Sequence, residues 1–366
     1  MKYYIVVGEA SGDMHGANLI KSIKKQDSKA EFRFWGGDKM VAASSLDSLV
    51  VHYKESSIMG FVEVLMHLRK ILRFLRLCKR DIAAWVPDIV IFIDYPGFNF
   101  KIAKWAHNHH FTTCYYIAPK VWAWKKGRVR LLKKYIDKLL VIFPFEVEWF
   151  AAHGAKAIYV GNPLLDEIAA REVVPKPEKP VIALVAGSRE MEVEHNLATM
   201  VAVSRNFPDY QFVVTGVDWL DRSIYDKHLA GSTVQVVFGK TYQIMELASA
   251  ALVTSGTATL EAAILNVPEV VCYRGPSIML WIAHRMVKIK WISLVNLIMD
   301  RTVVREMIGN SDFSVERASS ELAAILPGGS KHDQMLADFE ELRQKLGAVG
   351  ASDKAAQVIV EMKRLK

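Results

Sequence analysis

Short apolar runs recur along the chain and are separated by segments whose apolar positions repeat every three to four residues. "YYIVVG" (3–8), "IVIFID" (89–94), "CYYIA" (114–118) and "KLLVIF" (138–143) read as buried parallel strands. "GANLIKSIKKQ" (16–26) and "NFKIAKWAHNHH" (99–110) read as helices between them. "REVVPKPEKP" (171–180), with three prolines and five charges, reads as a linker. The alternation then restarts with "VIALVAG" (181–187), "YQFVVTG" (210–216), "VQVVFG" (234–239), "SAALVTSG" (249–256) and "PEVVCYR" (268–274). The stretch from 332 is helical, with a Gly-rich break near 347–352. The pattern predicts an α/β protein of two Rossmann-like domains facing each other across a cleft. Their expected bounds are 1–170 and 171–331, followed by a helical tail, 332–366.

With 366 residues, 51% hydrophobic and 23% charged, the chain can bury two ordinary cores. Cys78, Cys114 and Cys272 are far apart and form no CxxC pair, which fits a reducing compartment and argues against a zinc or disulfide framework. The opening "MKYYIVVGEASGD" leads from a few apolar residues into a Gly turn, unlike a signal peptide, and no run of 18 apolar residues occurs. A cytoplasmic protein is expected.

Charge changes the picture. Residues 1–170 hold 25 Lys and Arg against 16 Asp and Glu; the remainder holds 22 against 23. The net charge of +8 therefore belongs to the first half, which should meet a partner bearing phosphate. "FVEVLMHLRKILRFLRLCKR" (61–80) carries six basic residues and, after Glu63, no acid. Leu68, Leu72 and Leu75 add to an apolar load beyond one buried stripe, so this segment reads as a basic amphipathic helix on an anionic membrane surface. A core helix with a basic outer face accounts for part of the same pattern. "MLWIAHRMVKIKWISL" (279–294) has a similar mix. "KVWAWKKGRVRLLKKYIDK" (120–138) adds eight basic residues, but no nucleic-acid module surrounds it and no nucleic-acid partner is expected.

Four segments carry candidate chemistry. In "LVTSGTATLEAAILNVPEVV" (252–271) a strand ends in small residues, Ser255, Gly256, Thr257, Ala258 and Thr259, before Glu261. A helix N-terminus there suits a diphosphate, and Glu261 suits a ribose diol. An ordinary capped helix has the same composition. In "LVAGSREMEVEHN" (184–196), Ser188 and Arg189 stand at a strand's carboxyl end, where a guanidinium meets phosphate bidentately; a surface Arg is the plain alternative. In "IFIDYPGFNF" (91–100) a strand delivers Asp94 to its end, a candidate general base or a turn cap. "GEASGDMHG" (8–16) fails the dinucleotide pattern GxGxxG. Its Glu9 and Asp13 would repel diphosphate, so Glu9, Ser11, Gly12 and Asp13 read as a lining for a polar substrate such as a sugar, or simply as a tight turn.

The ordered set GEASGD (8–13), DYPGFN (94–99), APKVWAW (118–124), PFEVEWF (144–150), GNPLLD (161–166), GSREMEV (187–193) and SGTATLEA (255–262) resembles the lipid-A-disaccharide synthase family. The resemblance runs from the first strand to about residue 317. It implies an inverting glycosyltransferase of the GT-B architecture. The donor would be UDP-2,3-diacylglucosamine and the acceptor 2,3-diacylglucosamine 1-phosphate (lipid X). The products would be UDP and the β-1,6-linked disaccharide 1-phosphate. It further implies that Ser188, Arg189, Ser255, Gly256, Thr257, Ala258, Thr259, Glu261 and Asn296 hold UDP. Asp94 would take the proton from the acceptor's 6-hydroxyl. Glu9, Ser11, Gly12 and Asp13 would line the acceptor side. There is no DxD motif, and no metal or cofactor is expected. The enzyme would be peripheral on the inner face of the inner membrane. The helical tail would pack on its own N-terminal domain or on another subunit of a homodimer.

The chain departs from the family's usual Leu-Pro-Asn at Leu294-Val295-Asn296 and from Gly-His-Pro at Gly161-Asn162-Pro163. Another UDP-N-acetylglucosamine transferase or epimerase of the same architecture would share the Ser-Gly-Thr…Glu site but need no acyl pocket. A membrane-surface protein that holds nucleotide sugar without chemistry would have no use for Asp94.

Overall fold

The apolar runs pair side by side into two parallel sheets in a computed structural model that describes residues 1–56, 68–123, 126–170, 178–275 and 290–364. The first sheet contains β1 (Lys2–Val6), β2 (Glu31–Gly36), β3 (Leu49–His52), β4 (Ile89–Ile93), β5 (Thr112–Tyr116), β6 (Lys138–Val141) and β7 (Ile158–Tyr159), in the order β3-β2-β1-β4-β5-β6-β7. The second contains β8 (Val181–Val185), β9 (Gln211–Gly216), β10 (Gln235–Phe238), β11 (Ala248–Thr254), β12 (Glu269–Tyr273) and β13 (Arg305–Ile308), in the order β10-β9-β8-β11-β12-β13. Each order reverses once, between β1 and β4 and between β8 and β11. A crevice opens at such a point because successive connections leave to opposite faces.

In the first unit the helices include α1 (Ala10–Gln26), α2 (Asp38–Ala43), α3 (Leu68–Trp85), α4 (Pro96–Asn108), α5 (Val129–Tyr135) and α6 (Pro144–Ala152). The central strands β1 and β4 are apolar beyond Lys2 because both faces of the sheet are covered. Tyr3, Ile5, Ile89 and Ile91 turn to one core and Tyr4, Val6, Val90 and Phe92 to the other. Residues of α1 fill the first core; Leu75, Cys78 and Ile82 of α3, with residues of α4 and α5, fill the second. The outer surface of α3 is basic: Arg69, Lys70, Arg73, Arg76 and Arg80 are all exposed.

Of the three leucines read as membrane-facing, Leu72 is 41% exposed. Leu75 is 6% exposed and packs in the core, so it is a core residue and that expectation is corrected. The side chain of Leu68 lies outside the described residues, as do 279–289 and the linker residues 171–177. Among the described residues no helix is long and apolar enough to cross a membrane.

The second unit runs from Leu164 to Gly347, and the first takes back 348–366. The second unit's helices include α7 (Pro163–Ala169), α8 (Glu190–Val203), α9 (Thr241–Leu247), α10 (Thr257–Ile264), α11 (Leu294–Met299) and α12 (His332–Leu346). The tail is thus divided. Gly347 and Gly350 adopt φ of 75° and 104°, a turn that a side chain would strain. Beyond it, α13 (Ala351–Arg364) lies on α1, with Ala355, Ala356 and Ile359 in the core and Asp353 paired with Lys25 at 3.2 Å.

Candidate active site

In the first unit the site residues gather at the β1/β4 reversal. Glu9 follows β1, Asp94 follows β4, and Lys120 follows the next strand, β5. Asp94 and Tyr95 both take left-handed backbone, φ 42° and 49°, a sparsely populated region for non-glycine residues. The turn is held by its neighbours. The Asp94 carbonyl accepts from Asn99 Nδ2 at 2.8 Å and from the Tyr115 hydroxyl at 2.5 Å. The Tyr95 ring lies against Gly8, where a Cβ would fall 2.2 Å from a ring carbon. This close approach accounts for the first glycine of GEASGD.

The half-buried Asp94 carboxyl is pushed up to about 6. Burial is the main cause, the Glu9 charge adds to it, and Lys120 and the Tyr95 N–H oppose it. Such a group is mostly ionised at neutral pH yet basic enough to accept a proton. Glu9 itself accepts from the Ser11 hydroxyl at 2.7 Å, and Ser11 is exposed.

Two acceptor-side expectations are corrected. GEASGDMHG is not a loop beyond Glu9, since α1 begins at Ala10. Asp13 therefore lies inside the helix, 3% exposed, and its carboxylate accepts from the N–H groups of Gly37, Lys39 and Met40 at 2.6, 3.0 and 3.2 Å. It caps α2, whose free N–H groups attract an anion. Gly12 is buried, and a Cβ there would sit 3.0 Å from that of Val7, so it lets α1 approach β1. Neither residue lines a surface.

In the second unit the site residues gather at the β8/β11 reversal. After β8, Gly187 takes φ 117°. The N–H groups of Ser188 and Arg189 bond Glu192 Oε2 at 3.0 and 3.3 Å. The Arg189 guanidinium, 76% exposed, reaches Glu192 Oε1 at 3.1 Å. The anion seat of this turn is thus filled by the chain's own carboxylate. Trp219, beyond β9, is 71% exposed and donates its indole N–H to the Ser188 carbonyl at 2.9 Å.

After β11, Gly256 takes φ 150° and opens α10. The Ser255 hydroxyl donates to the Ile292 carbonyl at 3.2 Å and the Thr259 hydroxyl to the Gly256 carbonyl at 3.0 Å, so both brace the turn. Gly256 and Thr257 are exposed and Ala258 half-buried at the helix start. Glu261 is half-buried and pushed up to about 7, by burial first and by the Glu167 charge second, with a Tyr242 hydrogen bond opposing.

Asn296 does not join this group. It is fully buried, its amide donates to the Val304 carbonyl and Glu306 Oε1, both at 2.9 Å, and its oxygen accepts from Val303 and Val304. All its hydrogen-bonding capacity is spent on pinning the 302–306 connection, which corrects its assignment to UDP. The neighbouring Val295 has an N–H that proline would lack, and the Ser293 hydroxyl accepts it at 3.1 Å as the cap of α11.

Lys120, Glu167, Tyr242 and the Asn99–Tyr115 clamp were not singled out in the sequence. Lys120 lies in the APKVWAW motif, which offered a signal; Tyr242 offered none. Among the described residues no group of three or more His, Cys, Asp or Glu is placed to hold a metal ion.

The sequence profile of the family described as lipid-A-disaccharide synthetase matches residues 3–361. This chain belongs to that family. A lipid-A-disaccharide synthase from Myxococcus xanthus is 32% identical over 372 residues, covering 98% of this chain and 96% of that one. One from Chromohalobacter salexigens is 35% identical over 375 residues, with the same coverage. Membership in the lipid-A-disaccharide synthetase family makes the chain a glycosyltransferase.

Solved structures share the fold at low identity. A UDP-N-acetylglucosamine 2-epimerase from Listeria monocytogenes, described as putative, has TM-score 0.68 at 12% identity over 100% of this chain and 97% of its own. The calicheamicin glycosyltransferase CalG4 has TM-score 0.63 at 14% identity over 100% and 98%. The fold is therefore the two-domain, Rossmann-like GT-B architecture.

Proposed function

We propose that the enzyme transfers 2,3-diacylglucosamine from UDP-2,3-diacylglucosamine to the 6-hydroxyl of 2,3-diacylglucosamine 1-phosphate, with Asp94 as general base. The Asp94 carboxyl at the end of β4, raised to about 6 beside Glu9, carries this reading. The acceptor hydroxyl gives its proton to Asp94 as its oxygen attacks the anomeric carbon. The sugar–phosphate bond breaks on the opposite face, the centre inverts, and UDP leaves with the bonding pair. Donors at the start of α10 and the Arg189 guanidinium offset the charge that develops on the diphosphate. Arg189, itself 76% exposed, leaves Glu192 to do so. Glu261 takes the ribose diol.

Both lipid substrates lie at a membrane. The exposed basic row of α3, with Leu72 within it, supports attachment to anionic lipid on the cytoplasmic face of the inner membrane.

The test is disaccharide synthesis with purified enzyme and both lipid substrates. Asp94→Asn should lower turnover by about a hundredfold or more while UDP affinity, read by calorimetry, stays near wild type. Near-wild-type turnover in this variant, with collapse in Glu9→Gln, would move the base to Glu9.

A further inference from the structure

Trp219, in the turn that follows β9, is 71% exposed and yet held in place. Its indole N–H donates to the Ser188 carbonyl at 2.9 Å, beside Arg189 and beyond the end of β8. The turn itself is braced. The Val217 N–H donates to the Tyr225 hydroxyl at 3.2 Å, and the Asp221 carboxylate accepts from the Ser223 N–H and hydroxyl at 2.8 and 2.6 Å. Among the described residues the aromatic contacts of the second unit join Phe207 to Tyr210 and Phe212, and Tyr225 to Phe238; Trp219 enters neither group. Its polar atom is satisfied and its ring is open to solvent. A lone exposed apolar side chain is ordinary. This one is anchored to the turn that carries Arg189, so it is placed to meet whatever the diphosphate carries.

We propose that Trp219 is the platform on which the pyrimidine base of the nucleotide stacks. The proposal rests on the reading that the start of α10 and Arg189 take the diphosphate and Glu261 the ribose. In the second sheet β9 lies beside β8, and β8 beside β11. Neighbouring strands are about 4.8 Å apart, so the ends of β9 and β11 are about 10 Å apart, a span that a nucleoside diphosphate covers. With the ribose at α10, the base extends either across β8 towards β9, where Trp219 stands, or towards β12. β12 leads into Arg274, whose guanidinium is engaged by the Thr199 hydroxyl and the Phe313 carbonyl. Among the described residues no exposed aromatic side chain stands at that end.

The surroundings of the ring select a base over an acyl chain. Asp218, Asp221 and Arg222 are exposed in the same turn. An acyl chain gains by burying one methylene after another against continuous apolar surface. A single ring among charges does not offer that surface. A pyrimidine brings a π-face for the indole and polar edges that tolerate charged neighbours and water.

Calorimetry of the full chain with UDP and, as a base-free probe, inorganic pyrophosphate tests the assignment. Trp219→Ala should weaken UDP binding by about tenfold or more, as for removal of one stacking aromatic, and leave pyrophosphate within about twofold of wild type. Trp219→Phe keeps a ring and loses the bond to Ser188; it should hold UDP within about threefold of wild type. Both variants change an exposed side chain and should melt with wild type.

Unchanged UDP affinity in Trp219→Ala overturns the proposal. So does equal loss in Trp219→Ala and Trp219→Phe, which makes the indole a brace for Ser188. Unchanged UDP affinity with a raised KM for the diacyl donor also overturns it and gives the ring to an acyl chain. If pyrophosphate binds below detection, the contrast between the two variants decides alone. Glu261→Gln separates the platform from the reading beneath it. Loss in Trp219→Ala with unchanged UDP affinity in Glu261→Gln keeps the platform and removes the ribose assignment. The reverse pattern keeps the ribose assignment and removes the platform.

Discussion

Asp94, the proposed general base, is held in its turn by its surroundings. Two successive left-handed residues cost about 1–3 kcal/mol each, and the Asn99 and Tyr115 bonds to one carbonyl offset that strain. Because the base must be ionised, kcat/KM should rise with pH through an acidic limb near 6. Glu9 disfavours the charged form of Asp94, so Glu9→Gln should move that limb to lower pH; an unmoved limb would separate Glu9 from the base. Glu269 is the opposite case, a buried carboxyl without chemistry. Among the described residues neither of its oxygens has a hydrogen-bond partner, and burial, then the Glu306 charge, pushes it well up. The folded state therefore binds a proton that the unfolded chain has released. Its contribution is fully present below the ordinary carboxylate value and is lost as pH rises toward the raised value. The stability of Glu269→Gln relative to wild type, from urea unfolding, should accordingly grow between about pH 5 and about pH 8. A constant difference would show that Glu269 does not titrate between the two states.

Among elements, α3 divides its labour by face. Its inner residues Leu75, Cys78 and Ile82 belong to the core, and its outer residues form a basic row. Leu75→Ser should cost about 2–5 kcal/mol and lower Tm, as expected for emptying a packed site. Leu72→Ser, or Arg73→Glu with Arg76→Glu, should leave Tm within a few degrees and weaken co-sedimentation with anionic vesicles. If those surface variants bind vesicles like wild type, this helix is not the membrane contact. Motifs can also serve architecture. The indole of Trp122, in APKVWAW, donates to Glu146, in PFEVEWF, at 2.9 Å. The same carboxylate accepts from the N–H groups of Ile142 and Phe143 at the start of α6. Two of the seven family motifs are thus joined by one buried carboxylate.

For the whole molecule, the return of the chain to its first unit has a measurable consequence. α13 places Ala355, Ala356, Ile359, Val360 and Met362 in the core shared with α1. Burying one large apolar side chain is worth about 1.5–3 kcal/mol, and a domain's net stability is about 5–15 kcal/mol. Truncation after Gly347 should therefore unfold or aggregate the first unit, far away in sequence, while leaving the second unit's sheet complete. Circular dichroism and Tm of the truncated chain check this; an unchanged transition would show that α13 is dispensable. Charge also acts at this scale. The positive excess lies in residues 1–170, so vesicle binding should fall steeply as salt rises, with the Debye length shrinking to about 8 Å at physiological ionic strength.

Apolar runs long enough to be buried on both faces were legible in the sequence, and nine of them are strands at nearly the expected places. β2 and β13 were not, because their patterns are interrupted by charge: Arg33 in β2 and Arg305 with Glu306 in β13. Only tertiary structure supplies Asp81, which holds Arg33 at 2.6 Å and makes a charged strand tolerable beside β1. Residue types at strand ends likewise marked Asp94, Arg189 and Glu261, since a carboxyl end followed by small residues is a local signal. Whether such a polar group faces solvent or is consumed internally is not local. Asp13 and Asn296 carry the same chemistry as their neighbours, yet both are buried and spend their hydrogen bonds on the cap and the connection packed on them. The sequence by itself determined the strand–helix alternation and the family, because periodicity and ordered motifs are written along one chain. The structure decided which polar side chains remain available, because burial and hydrogen-bond satisfaction depend on residues distant in sequence.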